Sequence, residues 1–265
     1  MPTERTRIAP TPSGFLHEGN LLNFLLTARL ADTVGAEITL RIDDMDVFRL
    51  RREYVEDIFR CLHWLGIEWQ HGPRSIAEYE AMPSIEERAD HYYDVLESMA
   101  DAGLPVFTCA CSRRELGRDA RCERGCRDRD LELIAGETAL RVRLPESAQD
   151  VTDAMGDFVV WRREDVPSYQ LASVIDDHEM AMTHIMRGED LRDSTLAQRY
   201  LAGFLPDSPF LRADIRHHPL IVGRDGAKLS KSQGTRRLRL DDDLRRHLDR
   251  LVDSTWDTVS EGTTR

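Results

Sequence analysis

Three short runs in the chain carry side chains whose types and spacing could do chemistry. In His17-Glu18-Gly19-Asn20, a glycine stands where a turn built from Pro10, Pro12 and Gly14 meets an apolar series at helical spacing, Leu21, Leu22, Leu25, Leu26 and Leu30. Backbone N–H groups at a helix start attract anions, and glycine admits a ligand close to the main chain. The run therefore reads as an ATP-phosphate and adenine site, with His17 placed to offset charge on the α-phosphate. Asn20 offers a side chain to cap the helix. A capped helix start without any ligand is the simpler account of the tetrapeptide taken alone. In Lys228-Leu229-Ser230-Lys231-Ser232, after a turn through Gly223 and Gly226, two lysines three apart can clamp the pyrophosphate that leaves when an adenylate forms. A solvated basic loop explains that run equally well in isolation. Both runs in one α/β chain, far apart and in this order, make the chemical reading far more specific.

The third run is Cys109-Ala110-Cys111, ten residues, then Cys122 and Cys126. In a cytosolic chain, four thiols so closely spaced fit a closed tetrahedral zinc site better than two disulfides, and a full set of four ligands leaves no open position for catalysis. Cys61, on an apolar helix, reads as a packing residue.

The elements that must position these residues follow from periodicity. A strand beginning near Arg7, a helix after Gly19 and a strand over 36–42 make a parallel crossover, which favours an α/β sheet. Helices are predicted over 53–65, stopping at Gly66, over 92–102, stopping at Gly103, and over 193–204. Strands are predicted over 138–144, 157–162, 168–173 and 184–187, with Asp176-Asp177-His178 as a turn between the last two. A short amphipathic pattern around Leu244, Leu248 and Leu251 follows, with a frayed polar tail after Val259.

Composition bounds the function. The chain has 265 residues, 41% of them hydrophobic, and 36 Lys+Arg against 48 Asp+Glu give a net charge of −12. These values describe a folded, soluble protein, and no apolar run approaches the roughly 20 residues of a membrane span. The first residues lack the apolar core of a secretory signal, so a cytoplasmic location is expected. An acidic chain can meet nucleic acid only through a local patch; residues 112–130 hold seven arginines against five acids.

With the histidine and lysine runs, residues 7–14, 40–46, 167–178 and 183–190 span nearly the whole chain, and in them it resembles the class I aminoacyl-tRNA synthetases. His17 to Asn20 stands where the HIGH signature lies and Lys228 to Ser232 where KMSKS lies. More narrowly, the sequence is similar to the catalytic domain of the glutamyl-tRNA synthetases. The resemblance implies a Rossmann-type catalytic domain with an inserted zinc-bearing subdomain. Its halves would be 1–104 and 151–235, the insertion 105–150 and a short helical tail 236–265. It places Arg7 and Arg187 in the amino-acid pocket, where planar guanidiniums suit a carboxylate. Arg187 argues for glutamate over glutamine, since the related glutaminyl enzymes lack arginine there. Tyr169 would add a hydroxyl contact, Thr11 matches a small hydroxyl residue, and Asp43 matches the acid that neutralises the α-ammonium. ATP arrives with Mg²⁺, the acids Asp44 and Asp46 serving structure.

Several positions depart from the pattern. Asp43 stands where glutamate is usual, and its shorter side chain could admit a water or another amino acid. Ser173 replaces asparagine, Glu18 an apolar residue, and Cys122 a tyrosine. Only thirty-three residues follow Ser232, with no anticodon-binding region among them, so the chain resembles the truncated glutamyl-queuosine tRNA(Asp) synthetase paralogues, working as a monomer on glutamate, ATP and tRNA. Two other readings stand beside this one. A synthetase-like ligase would pass the activated amino acid to an amine, a carrier protein or another tRNA. A non-catalytic paralogue would bind amino acid or nucleotide and regulate a partner, against which the intact His17, Gly19, Lys228 and Lys231 argue.

Overall fold

The computed structural model describes residues 3–116, 122, 125–220 and 236–260. In chain order the elements are β1 (Arg5–Ile8), α1 (Glu18–Val34), β2 (Glu37–Leu40), α2 (Arg52–Leu65), α3 (Ile76–Glu80), α4 (Ala89–Asp101), β3 (Val106–Cys109) and α5 (Arg113–Leu116). There follow β4 (Ala139–Val142), α6 (Gln149–Met155), β5 (Val159–Trp161), α7 (Tyr169–Glu179), β6 (His184–Gly188), α8 (Arg192–Ala202), β7 (Asp214–His218) and α9 (Asp242–Ser260). The described residues form two compact units. One runs to Met82 and includes Met182–Leu191 and the chain from Ala213; the other is Pro83–Ala181 with Arg192–Arg212.

The first unit contains the expected parallel crossover. β1 pairs with β2 in parallel, Arg5 opposite Glu37 and Ile8 opposite Leu40, and β6 pairs with β7 in the same sense, His184 opposite Asp214 and Gly188 opposite His218. The Thr183 N–H donates to the Arg5 carbonyl at 3.0 Å and the Arg5 N–H to Thr183 Oγ1 at 2.9 Å, so the two pairs adjoin through β1 and β6. Between these strands α1 is apolar on two sides. Leu21, Phe24 and Ala31 pack with Ile8, Ile38, Ile58 and Leu62, whereas Leu22, Leu26 and Leu30 pack with Met186, Val252 and Val259. α2 ends as expected at Gly66, whose φ of 69° is left-handed. α9 is longer than the expected pattern, and Val252 rather than Leu251 takes the buried position, because the stripe advances by four residues from Leu244 through Leu248.

The second unit carries an antiparallel sheet in the order β3-β4-β5, with α4 and α8 packed on α7 and α7 on β5. Here the strand expected over 168–173 and the turn at 176–178 are overturned, since both lie within one helix, α7. Ser168 caps it, accepting from the Leu171 N–H at 3.4 Å, and Leu171, Val174 and Ile175 are buried at helical spacing. The spacing of three and four from Leu171 to Val174 and Ile175 places them on one helical face, although two of the three are β-branched.

One turn fixes β2 from outside the sheet. The Leu40 N–H donates to the His71 carbonyl at 2.9 Å, and Gly72 follows with a φ of 92°. A Cβ at Gly72 would overlap the Leu40 carbonyl oxygen. Gly72→Ala is therefore expected to lower the unfolding free energy by about 2–4 kcal/mol. Urea unfolding checks this, and an unchanged midpoint would show that the turn does not need its close approach to β2.

Candidate functional site

Parallel strands present ligands at their carboxyl ends, because loops and helix starts converge there. In the first unit that end gathers Thr11, His17, Gly19, Asn20 and Asp43 from the loops and helix start, near Arg7 and Arg187. After β1 comes the turn with Thr11, and after β2 comes Asp43. The Arg41 N–H donates to the Ile8 carbonyl and the Asp43 N–H to the Pro10 carbonyl, each at 2.9 Å, so the two loops run side by side. Arg7 lies in β1 and Arg187 in β6, 5% and 2% exposed, two guanidiniums inside the same unit.

His17 is the N-cap of α1, with extended backbone, and the helix begins at Glu18 rather than near Asn20. Asn20 still caps, but from the third helical position, its Oδ1 accepting from the His17 N–H at 3.0 Å. Gly19 has a local reason besides ligand approach, since a Cβ there would lie 3.0 Å from two atoms of the His17 ring. Glu18 explains its own departure from an apolar residue: its carboxylate lies 3.4 Å from Nε2 of His247 in α9.

Asp43 is already engaged. Arg41 donates to both of its oxygens, Nε to Oδ1 at 2.7 Å and Nη2 to Oδ2 at 3.3 Å, and both residues are buried. Any cationic ligand of Asp43 would share a carboxylate whose position Arg41 sets. Asp46 pairs with Arg49 instead, Nε to Oδ2 at 2.6 Å.

Arg41 and His218 are functional candidates that sequence reasoning missed. Buried His218, at the end of β7, has Nδ1 at 2.9 Å from the Pro219 carbonyl, which fixes the proton there and leaves Nε2 to accept from the Asn23 amide at 3.1 Å. Asn23 also donates to the carbonyl of Met186, beside Arg187, at 3.4 Å. The only signal in the sequence is a histidine pair before Pro219. Lys228 and Lys231 lie outside the described residues.

Tyr169 and Ser173 belong to the second unit, at the start and middle of α7. Asp176 accepts from the Tyr92 hydroxyl at 2.7 Å and so ties α7 to α4, while Asp177 is fully buried. The four cysteines expected to form one cluster do so. Their sulfurs all lie within 4.8 Å of one another, Cys111 being 3.4 Å from Cys122 and 3.8 Å from Cys126. Zinc–sulfur bonds of about 2.3 Å place tetrahedral ligands roughly 3.8 Å apart, so the set fits that ion. Burial raises the Cys111 thiol; at Cys122 burial is outweighed by the Cys126 N–H and the neighbouring thiols, which bring it down to about 7. Burial lowers the pKa of Arg141, against the opposing pull of Cys109, Asp157, Cys122 and Cys111, so a guanidinium stands near the sulfurs and would offset charge on four metal-bound thiolates. Cys61 stands apart in α2, fully buried, its thiol pushed up to about 12 by burial and the nearby Asp57.

Comparison with known proteins identifies the family. The family model for the catalytic domain of class I tRNA synthetases (E and Q) matches residues 4–251. A glutamyl-Q tRNA(Asp) synthetase of Methylococcus capsulatus is 38% identical over 245 residues, covering 88% of this chain and 77% of that protein. A glutamate–tRNA ligase of Natranaerobius thermophilus is 32% identical, covering 87% of this chain and 52% of that protein, so the chain spans about half the length of that relative. Among solved structures, a glutamate–tRNA synthetase of Elizabethkingia anophelis superimposes with a TM-score of 0.65 at 23% identity, covering 88% of this chain and 53% of that one, which supports the fold.

Burial lowers the pKa of His218 from 6.5, against the opposing pull of the Pro219 carbonyl, Asp190 and Glu189. The unfolded chain therefore takes up this proton first as pH falls, and stability is lost from about pH 6.5 downward until the folded-state pKa is reached. His218→Gln should shrink the loss of stability between about pH 7.5 and 5. Urea midpoints at both pH values test this, and an equal loss in the variant contradicts it.

Proposed function

The chain belongs to the class I tRNA synthetases (E and Q) through their catalytic domain, and from that premise we propose that it activates glutamate with ATP and transfers the glutamyl group to the queuosine base of tRNA(Asp). An oxygen of the glutamate α-carboxylate attacks the α-phosphorus, the bond to the β-phosphate breaks, and pyrophosphate leaves. A nucleophile of the acceptor then attacks the acyl carbon and releases AMP. The observation that carries this reading is the pair of buried guanidiniums, Arg7 and Arg187, on adjoining parallel strands of the unit that also holds the His17 helix start. Each can grip a carboxylate through two bonds, as selection of an anionic side chain requires.

In this reading Thr11 contributes a hydroxyl to the same pocket, and Asp43, held by Arg41, accepts the α-ammonium. Gly19 and Asn20 shape the helix start that receives the phosphates of ATP with its Mg²⁺. His17, Lys228 and Lys231 offset charge as the pyrophosphate departs. Cys109, Cys111, Cys122 and Cys126 hold a structural zinc that contributes folding energy to the second unit.

The test is exchange of labelled pyrophosphate into ATP across the twenty amino acids, with tRNA absent and then present. Glutamate-dependent exchange without tRNA is expected; no exchange from folded, zinc-loaded protein would move weight to the regulatory reading. Arg187→Ala should raise the KM for glutamate about a hundredfold, whereas Lys231→Ala should lower kcat by about that factor with little change in KM. Equal kinetic behaviour of the two variants would contradict the division of roles.

Protein purified without chelator should carry about one equivalent of zinc. Less than about half an equivalent, measured by atomic emission, would count heavily against the metal.

A further inference from the structure

Helix α2 contacts both of the chain segments that flank the two signature runs. On one side, Phe15 meets the Tyr54 ring edge-on with centroids 5.0 Å apart, and the Leu16 N–H, one residue before His17, donates to Asp57 Oδ2 at 3.0 Å across 41 residues of sequence. On the other side, Arg237 donates to the Glu53 carbonyl and to Glu56, each at 3.4 Å, and its guanidinium lies 5.3 Å from the centroid of the same Phe15 ring. Arg60 joins the two sides. It donates from Nε and Nη2 to Asp57 Oδ1 at 2.9 and 2.7 Å, and from Nη2 to the Leu238 carbonyl at 3.2 Å.

Asp57 is 0% exposed, so its charge is desolvated and its geometry is set entirely by these donors. We infer that Asp57 is a positioning residue for adenylate formation: through the Leu16 N–H it fixes where His17 starts α1, and through Arg60 it locks Leu238 to the same point. Alanine at 57 would leave the Leu16 N–H and the Arg60 guanidinium without their shared acceptor. The cost falls on the alignment of His17 with the phosphates, while the guanidiniums Arg7 and Arg187, carried by other strands, keep their hold on the amino acid. This inference rests on the activation reading above.

The test compares Asp57→Ala, Asp57→Asn and Arg60→Gln in pyrophosphate exchange, with active sites counted by the adenylate burst. Asp57→Ala should lose about tenfold or more in kcat per active site, with the KM for glutamate within about twofold. Asp57→Asn retains an oxygen for Leu16 and should recover to within about threefold of the parent; Arg60→Gln, which removes the guanidinium bonds to Asp57 and to Leu238 but leaves Asp57 to accept from the Leu16 N–H, should fall between the two. Unchanged kcat in Asp57→Ala, or a loss explained wholly by fewer active sites, overturns the inference. If Asp57→Ala fails to fold, Asn and Gln carry the comparison, and parent-like kcat in both overturns it. If the unaltered chain shows no exchange, the activation reading falls by itself, and ATP affinity by calorimetry decides this one: about fivefold weaker binding by Asp57→Ala or, failing that, Arg60→Gln supports positioning, and equal affinity or no binding by the parent overturns it.

Discussion

A helix can hold its first N–H groups toward an anion only if its body cannot shift, and α1 is held by apolar contact on two sides. Leu22, Leu26 and Leu30 bury against Met186 and α9, while Leu21, Phe24 and Ala31 bury against β1, β2 and α2. Full burial of a leucine stabilises by roughly 1.5–3 kcal/mol, so even a few of these contacts outweigh the energy available from any one polar bond at the helix start. The polar bonds then serve direction rather than strength. Asn20 sets the His17 backbone, Asn23 ties the helix to the Met186 carbonyl beside Arg187, and Glu18 meets His247.

Charge is arranged around that fixed point in a way the net value of −12 hides. Among the described residues the first unit encloses Arg7, Arg41 and Arg187 beside the buried acids Asp43, Asp44 and Asp57, and the second encloses Arg141 beside Asp157, Asp176 and Asp177. Buried cations are tolerated only with anions at hand, and two carboxylates are visible: Asp43 for Arg41 and Asp157 near Arg141. A carboxylate substrate and a four-thiolate metal site are the kinds of partner such interiors suit.

The crossover β1-α1-β2, the stop of α2 at Gly66 and the cysteine cluster were legible in the sequence because each depends on neighbours within a few turns of chain. α7 was not, because Asp176-Asp177-His178 has the polar composition of a turn, whereas in the fold Asp176 and Asp177 are buried within the helix. The partners of the candidate site were legible least of all. Asp57 acts on Leu16 across 41 residues and His218 on Asn23 across 195, and neither carries a local pattern that announces its partner. Asp43 drew notice as an acid of the wrong length, but that Arg41 fixes its orientation follows only from the fold.

The two-sided burial of α1 also has a cost in time. Its second apolar side is completed by Val252 and Val259, residues that emerge more than two hundred positions after the helix itself. At about 5–20 residues per second of synthesis, Leu22, Leu26 and Leu30 stay uncovered for roughly 10–40 s on a growing chain. During that interval the helix exposes a sticky leucine stripe to the crowded surroundings of the ribosome, so successful production depends on how well that stripe is shielded before α9 arrives.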